Sequence, residues 1–229
     1  MSNFVYSCLF ASLLAWSGSI LSATYEQGEN AFIKGNYQTA SKIWAEVSNK
    51  GDPRAQYNLA RMLEDGIGVA VDRDRARELY IQAARQNIPE AQYSLGQIYE
   101  KGDGVPQDFV QAIAWYRQAT QQKFPEACYN LSVFYNQGWG VEKDLEQSVN
   151  YLRCAADKGL AIACYDLGVR YLLGDGVSMD LIQSYKWLAL ALAYGHAEAQ
   201  KPLTIVSHKL DTKGLNEAKR LVSIFKQKH

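Results

Sequence analysis

The sequence predicts an all-α protein, a right-handed α-solenoid of antiparallel helix pairs. Three observations predict it. A block beginning Ala55, Gln56, Tyr57, Asn58, Leu59 returns at Ala91, Ala127 and Ala163, always 36 residues on, with a fifth echo at Ala199 and Gln200. The glycine pairs Gly66/Gly68, Gly102/Gly104, Gly138/Gly140 and Gly174/Gly176 keep the same step, as do Val69, Val105, Val141 and Val177. Between these marks the apolar positions recur with a helical period of 3.6 residues. A period of this length means a stacked array of supersecondary units, each completing its neighbour's core.

The first element is a leader. Phe4 to Leu21 is almost wholly apolar or small, and no charge occurs before Glu26. This reads as a signal peptide over residues 1–23, cut after Ala23. The opening Met-Ser-Asn carries no Lys or Arg, and Leu21 is bulky for its place before the cut. An uncleaved N-terminal anchor is the alternative, since eighteen apolar residues just span a bilayer. Either way the remainder is expected outside the cytosol, periplasmic or secreted. Residues 24–229 are then one domain: a short helical pair over 24–52, repeats over 53–88, 89–124, 125–160 and 161–196, and a cap over 197–229.

In the short pair, Tyr25 to Lys34 and Tyr37 to Lys50 are the helices, with a tight turn at Gly35 and Asn36. In each full repeat, helix A carries Ala55, Leu59, Ala60, Met62 and Leu63 or their equivalents. Gly96 and Gly168 replace Ala60, which points to a helix crossing too tight for a larger side chain. Gly66 and its copies end helix A, because glycine tolerates the left-handed conformation. Asp72, Asp108, Asp144 and Asp180 suit the N-cap of helix B, with Gln111, Gln147 and Gln183 three residues on as in a capping box. Pro53, Pro89 and Pro125 open the next helix A, where no N–H is needed. Lys201 to Leu210 and Leu215 to Lys226 form the closing pair. From Lys201 onward seven Lys or Arg stand against Asp211 and Glu217, a net +5. This reads as the polar outer face of a cap, or as a site for an acidic partner.

Composition limits the function. Lys+Arg and Asp+Glu both number 24, giving zero formal charge, whereas a general nucleic-acid binder needs a basic excess. The glycine loops lack the Gly-Lys-Ser/Thr of a phosphate cradle. No Ser, His and Asp form a recognisable nucleophile arrangement. His196, His208 and His229 have no companion ligand at helical spacing. No catalytic residue, cofactor site or metal site is assigned. Fifteen tyrosines and five tryptophans invite a ligand-cage reading. Most recur in register, however: Tyr99, Tyr135 and Tyr171 at Leu63's position, and Trp115, Tyr151 and Trp187 at Leu79's. That is the pattern of an inter-repeat core. Of the four cysteines, Cys128 and Cys164 are register-equivalent, and equivalent helices lie roughly 10 Å apart, beyond disulfide reach. Cys154 and Cys164 flank one turn, and a disulfide between them is expected in an oxidising compartment.

Ala91, Leu95, Gly96, Tyr99, Gly102, Gly104, Val105, Asp108, Ala112, Trp115, Tyr116 and Ala119 together resemble the Sel-1-like repeat, a 36-residue relative of the tetratricopeptide repeat. The resemblance covers residues 25 to 227. It implies a protein-interaction module or scaffold, non-enzymatic, of the kind that bacteria often export. By relation to the tetratricopeptide repeat, helix A lines a concave groove. Register then places Tyr57, Asn58 and Arg61 there, followed by Tyr93, Ser94 and Gln97, by Tyr129, Asn130 and Val133, and by Tyr165, Asp166 and Val169. The tyrosine is constant while the other two positions vary. That fits a contact face reading a protein or peptide, or tyrosines packed between helices beside plain solvated surface. The resemblance implies further roles: a periplasmic immunity protein neutralising a delivered toxin, a general folding or degradation adaptor, or a cell-wall-binding or weak β-lactam-hydrolysing protein. Cysteine-rich members of the last kind place two Cys eight apart in each repeat. Here Cys154 and Cys164 are ten apart and the first repeats have none.

Overall fold

A computed structural model of the chain describes residues 23–228. The leader expected over residues 1–23 lies outside the described residues except for Ala23. Among the described residues twelve α-helices follow one another: α1 Tyr25–Ile33, α2 Tyr37–Asn49, α3 Pro53–Asp65, α4 Arg73–Arg85, α5 Pro89–Lys101, α6 Phe109–Gln121, α7 Pro125–Gln137, α8 Leu145–Ala156, α9 Ala161–Leu173, α10 Leu181–Ala193, α11 Gln200–Lys209 and α12 Thr212–Lys228. A short 3₁₀ turn, Ala197–Ala199, joins α10 to α11. Each helix packs on the one before it and the one after it up to α10, and α11 and α12 both close over α10. The architecture is the expected α-solenoid, and no strand occurs among the described residues.

The aspartate caps form as expected, but Gln111, Gln147 and Gln183 close no capping box, because the N–H of each capping aspartate is taken by a carbonyl nine residues earlier. Asp72, Asp108, Asp144 and Asp180 each accept a backbone N–H in the first turn of α4, α6, α8 and α10. Such caps are worth about 1 kcal/mol each. Thr24 and Gln27 close a full capping box on α1. The loop after each helix A is tied at its far end by one recurring bond, from the N–H of Asp72, Asp108, Asp144 or Asp180 to the carbonyl nine residues earlier. The second glycine of the loop has a different job. A Cβ on Gly176 would lie 2.6 Å from the carbonyl oxygen of Leu145, the first residue of the preceding pair's second helix. These loops therefore seat directly on the neighbouring repeat.

Buried residues from Ala40 to Phe225 form three hydrophobic clusters along the stack, at Ala40 to Ile98, at Ala112 to Phe134 and at Cys128 to Phe225. Within a pair, a small residue on helix A faces a large one on helix B. A Cβ on Gly96 would run into the ring of Tyr116, and one on Gly168 would lie 2.8 Å from Leu188 Cγ. Tyr80 and Tyr116 are fully buried at this crossing. Their hydroxyls donate to Glu64, at 2.7 Å, and to Glu100. The recurring aromatics divide. Trp187 is buried, while Trp115, Tyr151, Tyr99, Tyr135 and Tyr171 are half-buried. They cover the seams rather than fill them: Arg117 donates to Tyr135 at 2.6 Å, and Arg153 to Tyr171 at 3.1 Å, each from a second helix to the next first helix. At the C-terminus the last helix starts at Thr212, not at Leu215, because Asp211 accepts the N–H of Gly214 at 2.7 Å and caps it.

The disulfide expectation is corrected. Cys128 pairs with Cys154, with Cα atoms 5.9 Å apart, and Cys164 is free and buried. Cys128 lies near the start of α7 and Cys154 near the end of α8, so the two antiparallel helices bring them to one level. Cys164 instead directs its thiol at the carbonyl of Ala156, 3.6 Å away and eight residues back. The side chains of Gln56 and Gln92 make the same eight-residue contact, to Ser48 and Ala84. Cys164 thus takes the place of a glutamine that plugs the turn between pairs. Burial pushes its thiol up to about 12, with Asp157 adding to the effect.

Two outcomes follow. Gly96→Ala should cost about 1–3 kcal/mol in urea unfolding, the usual penalty of overpacking, because the methyl must displace the Tyr116 ring. Residues 23–228 should yield one reactive thiol in denaturant and none when folded. Reduction should lower stability by about 3 kcal/mol for a crosslink spanning 26 residues.

Candidate functional site

The twelve residues assigned to the helix A face lie on α3, α5, α7 and α9, where the structure gives them different duties. The constant tyrosines are half-buried. The Tyr57 ring lies 5.9 Å from that of Tyr80, and Tyr93 sits between Tyr116 at 5.6 Å and Phe124 at 5.3 Å. Tyr165 lies 4.5 Å from the His196 ring. These rings pack across the helices and also present an edge to solvent.

The variable position after each tyrosine serves a tyrosine hydroxyl from an earlier pair. Asn58 donates to Tyr25 at 2.9 Å, Asn130 donates to Tyr116 at 2.9 Å, and Asp166 accepts from Tyr129 at 3.1 Å. Ser94, at the same position, lies close enough to the Tyr80 hydroxyl to lower its pKa slightly against the effect of burial. These side chains are therefore largely occupied within the molecule. Burial and the nearby Asp166 charge push the Tyr129 hydroxyl up to about 12.

The fourth position after each tyrosine is freer. Arg61 is exposed, its guanidinium 6.0 Å from the centre of the Tyr57 ring, while Gln97 donates to Tyr93 at 3.1 Å. Val133 and Val169 face a cleft of about 310 Å³ between α7 and α9. Leu173, at 69% exposure, extends its apolar wall, and buried Leu152 lies beneath. Asp166 and Arg170 bring the charge. Arg170 is held at both ends, donating to Asp175 at 2.7 Å and to Asn136 at 2.8 Å. A second cleft, of about 250 Å³, opens at the N-terminal end beside Asn58 and Arg61, against Tyr25, Phe32 and Trp44. Asn136, Arg170 and Leu173 escaped the sequence assignment. Asn136 and Leu173 stand one helical turn beyond Val133 and Val169, and Arg170 one turn beyond Asp166, so the i, i+3, i+4 rule extends the stripe to them.

Burial raises the Asp166 carboxyl above the usual carboxylate range, while the Tyr129 hydroxyl and the Arg170 charge pull it back. A folded-state pKa above the unfolded one means that folding favours the protonated form. The stability linked to this group is fully present below the ordinary carboxylate range and is lost as pH rises through the raised value. Asp166→Asn should therefore be more stable than the natural chain at pH 7. The difference should vanish at acidic pH, as read by urea unfolding at both.

The comparisons with known proteins follow the geometry. The chain is similar to a protective antigen present in uropathogenic Escherichia coli strains that displays an SLR fold. Identity is 30% and the TM-score 0.78, over 87% of this chain but only 44% of the antigen's. It is similar to a Sel1 repeat protein from Oxalobacter formigenes at 28% identity and a TM-score of 0.74, over 79% of this chain and 74% of that one. The immunity protein Pa5087 from Pseudomonas aeruginosa shares the fold at 20% identity and a TM-score of 0.50, over 90% of this chain and 87% of that one. No curated protein is similar enough to count as a relative. Sel1 repeat proteins act as protein-interaction modules and are generally non-enzymatic. Among the described residues no helix is long and apolar enough to cross a membrane. The Sel1 repeat matches residues 53–88, 89–124, 125–160 and 161–196; the chain belongs to the Sel1 repeat family.

Proposed function

We propose that this chain is an exported, non-enzymatic scaffold of the bacterial envelope that holds a protein or an extended peptide along the faces of α3, α5, α7 and α9. The observation that carries the reading is the cleft between α7 and α9. Its apolar wall of Val133, Val169 and exposed Leu173 borders a fixed Arg170 and the Asp166 carboxylate. Binding surfaces combine apolar anchors with a few oriented polar groups in this way. The leader of residues 1–23 supports export to the periplasm or beyond, with cleavage after Ala23. The Cys128–Cys154 disulfide is consistent with an oxidising compartment.

The narrower role of a toxin-neutralising immunity protein rests on a likeness of fold alone, and the broader reading is preferred. A wall-acting role would need a nucleophile or a positioned pair of carboxylates, and the Cys128–Cys154 bridge joins two helices of one repeat rather than recurring in each.

The test is affinity capture from the producing bacterium's envelope fraction, using the full chain expressed with its own leader and tagged at the C-terminus. The expected result is one protein recovered in stoichiometric amount, at least tenfold less of it with the double variant Val133→Asp, Val169→Asp. Retention on purified wall material without any protein would contradict the reading, as would recovery of the tagged chain from the cytosol.

A further inference from the structure

The cleft between α7 and α9 carries more negative charge than the molecule pairs by contact, since Arg170 acts on Asp166 only at a distance. Two carboxylates, Asp166 and Asp175, stand against one guanidinium, Arg170. Arg170 is spent: one end donates to Asp175 at 2.7 Å, the other to Asn136 at 2.8 Å, and its side chain is only 13% exposed. Asp166 accepts a single hydrogen bond, from the Tyr129 hydroxyl at 3.1 Å. Among the described residues no Lys or Arg lies within ion-pair distance of it. A half-buried carboxylate without a cation is costly to keep ionised. It gains from any cation delivered in a water-poor setting, where charge-assisted bonds are strong.

The shape narrows the occupant. Val133, Val169 and Leu173 form an apolar approach to this carboxylate, and about 310 Å³ lies at the small end of ligand-sized cavities. That suits one long side chain rather than a cofactor. Lysine and arginine join an apolar stem to a cationic head, and they bury the stem while the head seeks a polar partner. An acidic side chain would meet two carboxylates, and a purely apolar one would leave Asp166 more desolvated still.

We propose that this cleft is the seat for a lysine or arginine side chain of an extended partner segment, with Val133, Val169 and Leu173 packing the stem and Asp166 receiving the cationic head. The proposal rests on the interaction reading above and names the chemistry of its partner. Arg170 is the positioning residue: its bonds to Asp175 and Asn136 hold the wall on which Asp166 stands, one turn away on α9.

The experiment is fluorescence anisotropy of the full chain with a fluorescein-labelled extended peptide of alternating lysine and alanine. Peptides with glutamate or norleucine in place of lysine serve as comparators. The lysine peptide should bind, and its affinity should fall with salt. The norleucine peptide should bind at least tenfold more weakly, and the glutamate peptide not at all. Asp166→Asn, which keeps an acceptor for Tyr129, should weaken lysine-peptide binding about tenfold, equivalent to about 1.4 kcal/mol. Glu78→Gln, on the exposed face of α4, should leave it unchanged. If Asp166→Asn loses helicity by circular dichroism, Val133→Lys replaces it. That variant places an ammonium in the cleft itself and should abolish binding. Equal binding of the norleucine peptide, binding of the glutamate peptide, or undiminished lysine-peptide binding by a folded Asp166→Asn or Val133→Lys chain would overturn the proposal. An envelope protein captured equally by the natural and Asp166→Asn chains would also overturn it, while leaving the interaction reading intact. Neither capture nor peptide binding would remove both.

Discussion

Close approach between the two helices of a pair is the constraint on which the rest depends. At Gly96 and Gly168 the facing side chains of Tyr116 and Leu188 already occupy the space of a methyl group. The large residue sinks into the space left by the small one, and buried Tyr80 and Tyr116 then present only their hydroxyls, to Glu64 and Glu100. That fixes the rotation of each pair about its own axis. It also fixes which face of helix A points outward, because the opposite face is committed to the crossing. The loops carry the constraint to the neighbours, since Gly140 and Gly176 lie against the start of the preceding second helix. A stack set in this way has few independent adjustments. The cleft between α7 and α9 follows from it, since both of its walls are first helices held in register.

Much of this architecture was legible because it was written four times. Repetition separated signal from accident: an aspartate at Asp72 alone is any polar residue, but at Asp108, Asp144 and Asp180 as well it is a helix cap. Other features were hidden by the same repetition. The turn between pairs uses a left-handed residue at Gly51, Asn87, Lys123, Gly159 and Gly195, each 36 residues apart. Three are glycine, but Asn87 and Lys123 break the pattern, and the array holds Lys123 there at φ 55° despite its side chain. The cysteine pairing was missed for a related reason. Register equivalence excludes Cys128 with Cys164, and Cys154 with Cys164 is the nearer pair in sequence. The two helices of one repeat, which place Cys128 beside Cys154, needed only the level of each residue along its helix.

The site was less legible than the fold. A tyrosine constant across repeats and a variable neighbour look like a framework and a reading head. The variable neighbours Asn58, Ser94, Asn130 and Asp166 instead each answer a tyrosine hydroxyl from an earlier pair. Part of their variety is a local accommodation: Tyr80 and Tyr116 come from equivalent positions on second helices, whereas Tyr25 and Tyr129 come from first helices. The residues most open to a partner are Arg61, Val133 and Val169, joined by Leu173. The last lies at the end of its helix, where the register argument had stopped. One sequence cannot separate a side chain that varies to fit its neighbour from one that varies to fit a ligand. Distances can.

The central claim is that each pair completes the core of the next and that any full repeat can stand beside any other. Removing residues 89–124 joins Ile88 to Pro125 in the register that Phe124 now holds. The most direct measurement is a thermal melt of that shortened chain followed by circular dichroism. The account predicts a helical protein with a single cooperative transition at a lower Tm, since one repeat and one interface are lost from the sum. Loss of helical signal at room temperature, or two separate transitions, would contradict it.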